Sequence, residues 1–324
     1  MRKVLLFGYF GFNNFGDEWL LKTSIKLLNI SAERKNFFVL YNIKEKITVE
    51  ENVTYIPRWD FIEILKSISQ VDTVVSLGGL FQDKTSRLSL LYYLLILFLA
   101  KIFNKKIFVL NTEIDVKKIP KSFVVSILNF FADNIFVRNK DDLKYSKKAK
   151  FCPDICIYDF EEEKVFVSET VNTIGMIVKQ IKDFEILKTM CEVLSKQYRI
   201  VFIPFHVEED YPFCLKLLSR INNGVIRVWD KVGNYRNIFS DIDLIITSRL
   251  HGVIIAAVLC KPFICISEEE KVKKMIKSMF MIGPISLSFL GQKNFSIQGN
   301  IFYPEMNKIK EYKTLVLRNF ISLF

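Results

Sequence analysis

The sequence predicts an α/β protein made of two Rossmann-like doubly wound domains facing a cleft. Three observations lead there. Short apolar, strand-like runs alternate with stretches of helical period, which is the pattern of a parallel sheet with helices on both faces. The alternation breaks once, in an acidic and then polar stretch at 159–170, and resumes beyond it. A chain of 324 residues is also long enough for two domains.

In the first half the strand-like runs are 4–7, 37–41, 73–77, 107–110 and 135–137. Helix-period stretches lie between and after them at 17–28, 59–69, 86–103, 121–131 and 140–146. The second series has strands at 173–178, 200–205, 225–229, 244–247 and 263–266, with helices at 184–196, 211–221, 249–259 and 269–280. A last helix is expected at 305–324, packing back on the first domain. The expected domains are therefore 1–160 and 171–300, with 301–324 as a returning C-terminal segment.

The composition, 50% hydrophobic and 25% charged, is that of a globular protein with real cores. A net charge of +11 fits an anionic partner: nucleic acid, an anionic membrane face or a phosphorylated substrate. A lysine-rich, AT-biased genome accounts for it equally well. Nucleic acid ranks lowest, because no basic stripe interleaved with aromatics occurs. The six cysteines form no CxxC pair and several sit in apolar runs, so they read as reduced core residues of a cytoplasmic protein. With two histidines in the chain, no zinc site or other metal is expected. The apolar run at 4–7 is too short for a signal peptide and reads as a first strand. The strongest membrane candidate, 88–100, falls short of the roughly twenty residues that span a bilayer. A buried helix is the first reading. Peripheral contact with a membrane surface is the second, because Lys101, Lys105 and Lys106 follow directly.

Four places hold residues suited to chemistry. Ser248-Arg249-Leu250-His251-Gly252 follows an apolar strand and opens a helix, so a fixed cation and a titratable imidazole share a strand-to-helix turn. That pairing suits an anionic substrate that also exchanges a proton. The loop from Gly8 to Asp17 follows the first strand. Its Gly16 permits close approach, Asn13 and Asn14 suit either turn dihedrals or sugar hydroxyls, and Asp17 is placed to cap the helix. Gly78-Gly79-Leu80-Phe81-Gln82-Asp83 ends another strand, and Asp83 can bind hydroxyls. Arg138 ends the last strand of the first domain and suits a carboxylate or phosphate; the plainer alternative is a surface pairing with Asp141 or Asp142. Lys271 lies one strand beyond His251, and its plain reading is a solvated lysine beside Lys273 and Lys274. His206, ahead of Glu208, Glu209 and Asp210, reads as a helix start.

Taken together these segments resemble the polysaccharide pyruvyl transferase family. The carriers are Gly8 to Glu18, Gly78 to Asp83, the stretch from Ser89 to Lys106, Val137-Arg138, Arg249-Leu250-His251 and Lys271-Val272-Lys273, in that order. The resemblance implies a GT-B-like fold and transfer of a pyruvyl group from phosphoenolpyruvate to a sugar, forming a cyclic ketal and releasing phosphate. It implies a saccharide acceptor of a cell-surface polysaccharide or its lipid-linked precursor; the expected location is the cytoplasm, with the inner face of the cell membrane as the alternative that the 88–100 helix and its lysines leave open. It assigns phosphoenolpyruvate, a co-substrate rather than a cofactor, to Arg138, Arg249, His251 and Lys271. Asn14, Gly16, Asp17, Gly78, Gly79 and Asp83 fall on the acceptor side. His251 is the expected proton relay.

Three positions depart from the family pattern. Asn111-Thr112-Glu113-Ile114-Asp115 stands where a glycine-rich turn is usual, Asn139 replaces a common acid, and Glu268-Glu269-Glu270 precede Lys271. The alternative from the same architecture is a glycosyltransferase using a nucleotide sugar; a second is a non-enzymatic, interface-binding module. Acceptor sugar, lipid linkage and oligomeric state stay open at the level of sequence.

Overall fold

The computed structural model describes residues 2–30, 34–82, 87–114, 116, 119–162, 171–180, 184–230, 232–267, 269–282 and 301–323. Of the residues singled out above, Asp83, Asp115 and Glu268 lie outside the described residues. The chain divides into two compact units. The first comprises Met1–Phe12, Asp17–Tyr158 and Tyr312–Phe324, and the second Asn13–Gly16 and Asp159–Glu311.

The first unit is built on β1 (Arg2–Phe7), α1 (Phe15–Leu28), β2 (Lys35–Tyr41), β3 (Ile47–Glu50), β4 (Val53–Pro57), α2 (Phe61–Gln70), β5 (Thr73–Leu77), α3 (Arg87–Ile102), β6 (Lys106–Thr112), α4 (Lys121–Phe131), β7 (Asn134–Val137) and β8 (Ala149–Phe151). Its sheet runs β3-β4-β2-β1-β5-β6-β7-β8. Among these strands only β3 is antiparallel to its neighbour. The strand order reverses between β1 and β5, where Val4 to Phe7 pair with Thr73 to Ser76.

Side-chain spacing explains why the helices lie where they do. In α2, Asp60 caps the N-terminus by accepting from the Glu63 N–H at 3.0 Å, and Ile64, Ser67 and Ile68 turn inward. Leu90, Tyr93, Ile96, Leu97 and Ala100 do the same in α3, and Val124, Val125 and Leu128 in α4. All three helices share one core with Leu5, Phe7, Val74, Ile107, Val109 and Ile135 of the sheet. They form a single layer on one face, as successive right-handed crossovers in one direction require.

The second unit continues with β9 (Thr173–Ile177), α5 (Phe184–Leu194), β10 (Arg199–Phe202), α6 (Val207–Leu218), β11 (Gly224–Ile226), α7 (Tyr235–Ile238), β12 (Leu244–Thr247), α8 (Leu250–Leu259), β13 (Phe263–Cys265), α9 (Glu270–Met279), β14 (Phe280–Ile282) and β15 (Ile301–Pro304). Its sheet runs β11-β10-β9-β12-β13-β15-β14, parallel except at β15. Strand order reverses between β9 and β12. Leu187, Met190, Cys191 and Leu194 form the buried stripe of α5, while α8 is buried almost all round. The last helix, α10 (Met306–Ile321), meets the first unit through its C-terminal half. There the Asn319 amide donates to the Phe151 carbonyl at 3.0 Å and Tyr312 packs edge-on to Phe151.

Several expectations need correction. The helix expected at 140–146 is a 3-10 helix over Lys140–Tyr145. The helix expected from residue 211 begins earlier, at Val207. β3, β4, β8, β14 and β15 are additional strands, all at or near sheet edges.

Candidate functional site

In an open parallel sheet, functional groups gather beyond the carboxyl ends of strands where strand order reverses. Each unit has such a place.

In the first unit it lies after β1 and β5. The loop after β1 is anchored by Glu18. Its carboxylate accepts from the Gly11 N–H at 2.7 Å and the Tyr41 hydroxyl at 3.0 Å. Burial pushes the Glu18 carboxyl above its ordinary value, opposed by those two bonds. After β5, Gly78 has φ +91°, a conformation only glycine takes without strain. A Cβ on Gly79 would come within 3.3 Å of an Arg138 guanidinium nitrogen, so this guanidinium lies against the turn.

Arg138 is not the surface residue paired with Asp141 or Asp142 that the plainer reading gave. Its side chain is 9% exposed, its Nε and Nη2 both donate to Glu113 Oε2 at 3.2 and 2.8 Å, and its Nη1 is 3.7 Å from Asp154. Burial opposes its charge, but Glu113, Asp154 and Asp17 outweigh that and hold its pKa above the ordinary arginine value. Asp154 is fully buried and accepts from the Asn111 amide at 3.3 Å. Asn111 itself has φ +55°. Asn111 lies inside β6, where the pairing with β7 shifts register between Val109 and Thr112, and asparagine is the side chain best suited to the left-handed region after glycine.

In the second unit the reversal lies after β9 and β12. Thr247 Oγ1 donates to the Ile177 carbonyl at 3.1 Å and accepts from the Arg249 N–H at 3.0 Å. Ser248 Oγ accepts from the Lys179 N–H at 3.0 Å, tying the two strand ends together. Arg249 then takes the N-cap position of α8. Its guanidinium Nη2 donates to Asp210 and lies 3.6 Å from Glu209. Asp210 is fully buried, and its other oxygen accepts from the His206 N–H at 2.9 Å. The buried Arg249 Nε has no acceptor among the described residues. His206 is the N-cap of α6, its Nδ1 accepting from the Glu209 N–H, as the helix-start reading expected.

His251, in the first turn of α8, lies against Gly16, where a Cβ would stand 2.2 Å from its Nδ1. Gly16 belongs to this unit with Asn13, Asn14 and Phe15. Asn13 takes φ +53°, and Asn14 Oδ1 accepts from the Gly16 N–H at 3.0 Å. Asn14, not Asp17, therefore caps α1, and Asp17 sits inside its first turn. Asn14 also bridges to His206, and the Phe15 N–H donates to the Phe205 carbonyl at 2.7 Å.

Glu269, just ahead of α9, receives the Lys179 ammonium on one oxygen and the Lys271 ammonium on the other, the latter at 3.0 Å. Lys271 is thus not a simply solvated lysine. Partial burial pushes the Glu269 carboxyl up, but the two ammoniums prevail and hold its pKa at about 2.

Within the second unit the structure brings Gly16 to His251, Asn14 to His206 and Lys271 to Glu269. Within the first it brings Gly79 to Arg138 and Gly78 to Asp17, whose Oδ1 would be 3.9 Å from a Cβ on Gly78. Arg138, Arg249 and Lys271, three expected donor-binding cations, each carry a carboxylate partner. Sequence reasoning missed Lys179 and Asp210, and met Glu269 only as one of the acids preceding Lys271. Lys179 had the same signal as Arg249, a cation just beyond an apolar strand. The two acids had none beyond membership in acidic runs.

The structure resembles UDP-N-acetylglucosamine 2-epimerases. The Rickettsia bellii enzyme matches at 13% identity and TM-score 0.54, over 99% of this chain and 96% of that one. The Neisseria meningitidis enzyme, solved with UDP-GlcNAc bound, matches at 12% identity and TM-score 0.52, over 86% of each chain. The Methanocaldococcus jannaschii enzyme matches at 13% identity and TM-score 0.51, over 86% and 91%. At these identities the likeness is one of fold, the two-domain α/β architecture of the GT-B type. No curated protein matches in sequence. The model of the family described as "Polysaccharide pyruvyl transferase" matches residues 14–270, a span that runs from the Asn14 cap through Arg138, Arg249 and His251 to Glu270. Since that match takes in most of the chain, the protein belongs to the polysaccharide pyruvyl transferase family.

Proposed function

We propose that the protein transfers a pyruvyl group from phosphoenolpyruvate to two hydroxyls of a saccharide, forming a cyclic ketal and releasing phosphate. The observation that supports this most directly is the state of Arg249. Asp210 fixes one end of its guanidinium, while its buried Nε–H has no acceptor among the described residues. A buried, unanswered donor on a fixed cation costs about 1–3 kcal/mol, which an anionic ligand oxygen recovers. Lys271 and Lys179, joined through Glu269, add positive charge at the neighbouring strand ends of the same unit. Phosphoenolpyruvate offers a carboxylate and a phosphate to such groups.

In this reading His251 delivers a proton to the methylene carbon, and cationic character develops at C2. One sugar hydroxyl adds to C2 and gives up its proton. The second displaces phosphate, which leaves with the remaining proton. Arg249 and Lys271 hold the donor and stabilise the departing phosphate, and Arg138 is assigned to the donor as well. Asn14, Gly16, Asp17, Gly78, Gly79 and Asp83 belong to the acceptor side. No metal enters the scheme.

The test is to incubate the protein with phosphoenolpyruvate and a panel of lipid-linked or aryl-tagged amino sugars. Phosphate release together with the mass gain of a pyruvyl ketal on one sugar is the expected result. Turnover of a UDP-sugar, with phosphoenolpyruvate untouched throughout the panel, overturns the proposal in favour of a glycosyltransferase.

A further inference from the structure

The helical layer of the first unit leaves an apolar face uncovered. On α3, Leu88, Leu91, Leu95, Phe98 and Ile102 are 41–78% exposed. They recur every three or four residues and so share one side of the helix, opposite the side that enters the core. Its neighbour α4 adds Phe123 and Phe130, and α2, on the other flank, adds Phe61 and Ile62. Phe131 joins the rows, with its ring centroid 6.2 Å from Phe98 and 5.2 Å from Phe130. Exposed apolar surface on this scale marks a binding face.

The charge around it selects the partner. Neither α3 nor α4 contains a carboxylate, and on α2 Asp60 caps the helix while Glu63 is paired with Lys46 and Lys66. Arg87 opens α3, Lys101 closes it, and Lys105 and Lys106 follow. Two-fold pairing of α3 with a second copy would set Lys101 against itself or against Arg87, with no acid on either helix to relieve the contact. A sheet of anionic headgroups neutralises every one of these cations while the aliphatic and aromatic tips enter the boundary region.

We infer that this face docks on an anionic lipid surface. It lies on the bilayer and does not cross it. The sixteen residues of α3 span about 24 Å against a hydrocarbon core of roughly 30 Å. One side of α3 also belongs to the protein core, and among the described residues no helix is long and apolar enough to cross a membrane. The inference does not rest on the identity of the donor or acceptor.

Sedimentation of the full chain with phosphatidylcholine vesicles, with and without phosphatidylglycerol as the minor component, tests it. The protein is expected to sediment with the anionic vesicles. Lys101→Glu with Lys106→Glu should weaken binding by about 25-fold or more, at roughly fivefold per cation removed. Leu91→Ser with Phe98→Ser should weaken it by about tenfold while far-UV circular dichroism is unchanged. Phe130→Ser is the second variant if the double substitution disturbs the fold. Wild-type protein that stays in the supernatant with both vesicle types overturns the inference. So does a wild-type dimer by light scattering that Leu91→Ser with Phe98→Ser dissociates without any vesicle binding, which would assign the face to a second copy.

Discussion

The imidazole of His251 fills the space that a side chain on Gly16 would need: a Cβ there would stand 2.2 Å from Nδ1 and 2.5 Å from Cγ. Gly16 lies in the first turn of α1, where alanine is otherwise neutral or favourable. Gly16→Ala should therefore push the ring aside. We expect the proposed pyruvyl transfer to fall by about tenfold or more, as misplacing its proposed proton relay would cause, with only a small change in melting temperature. Turnover and thermal unfolding of the one variant check both halves.

His251→Ala removes the proposed proton relay. The expected outcome is a fall in kcat of about a hundred- to ten-thousandfold, the usual worth of general acid–base catalysis, with KM for phosphoenolpyruvate little changed. Near-normal turnover would take the relay away from this residue.

Asp210 holds Arg249 and the start of α6 together from a fully buried position. Asp210→Ala leaves a mostly buried guanidinium with the exposed Glu209 as its one acidic neighbour among the described residues. The expected destabilisation is about 3 kcal/mol, read from the midpoint of urea unfolding. Asp210→Asn, which can still accept from the His206 N–H, should lose less.

Glu269 gives a pH signature. Its folded pKa, about 2, is below the ordinary 4.5, so its ion pairs stabilise the protein above that ordinary value. The stabilisation fades as pH falls from there through about 2. The group is only half-buried, so solvent screening leaves about 1 kcal/mol. Glu269→Gln should lower the unfolding midpoint near neutral pH, and its deficit relative to wild type should close as the solution is acidified.

The central strands were legible because they are short runs of apolar residues with no competing signal. The expected 73–77 and 244–247 coincide with β5 and β12, and 121–131 with α4. The edges were not. β3 is Ile-Thr-Val-Glu and β8 is Ala-Lys-Phe, too short and too polar to stand out from a loop. At the candidate site, the placement of Arg249 and His251 at a strand-to-helix turn followed from sequence, and their neighbours did not. Asp210 reaches Arg249 across 39 positions and Glu113 reaches Arg138 across 25. Which carboxylate meets which cation depends on sheet order, and strand order is not written in local periodicity. Asn14 displaced Asp17 as the cap because the helix begins two residues earlier than its apolar pattern suggests.

The grouping of Asn13–Gly16 with the later half of the chain has a practical consequence for anyone dissecting this protein. No single cut between 158 and 171 yields two intact pieces. A C-terminal fragment would lack the Phe15 ring that stacks on Phe205 at 4.4 Å, and an N-terminal fragment would lack Tyr312 and Phe320 beneath its last strands. Separate expression of either half should give a poorly folded product, rescued only by supplying the missing segment in trans or by a permuted chain.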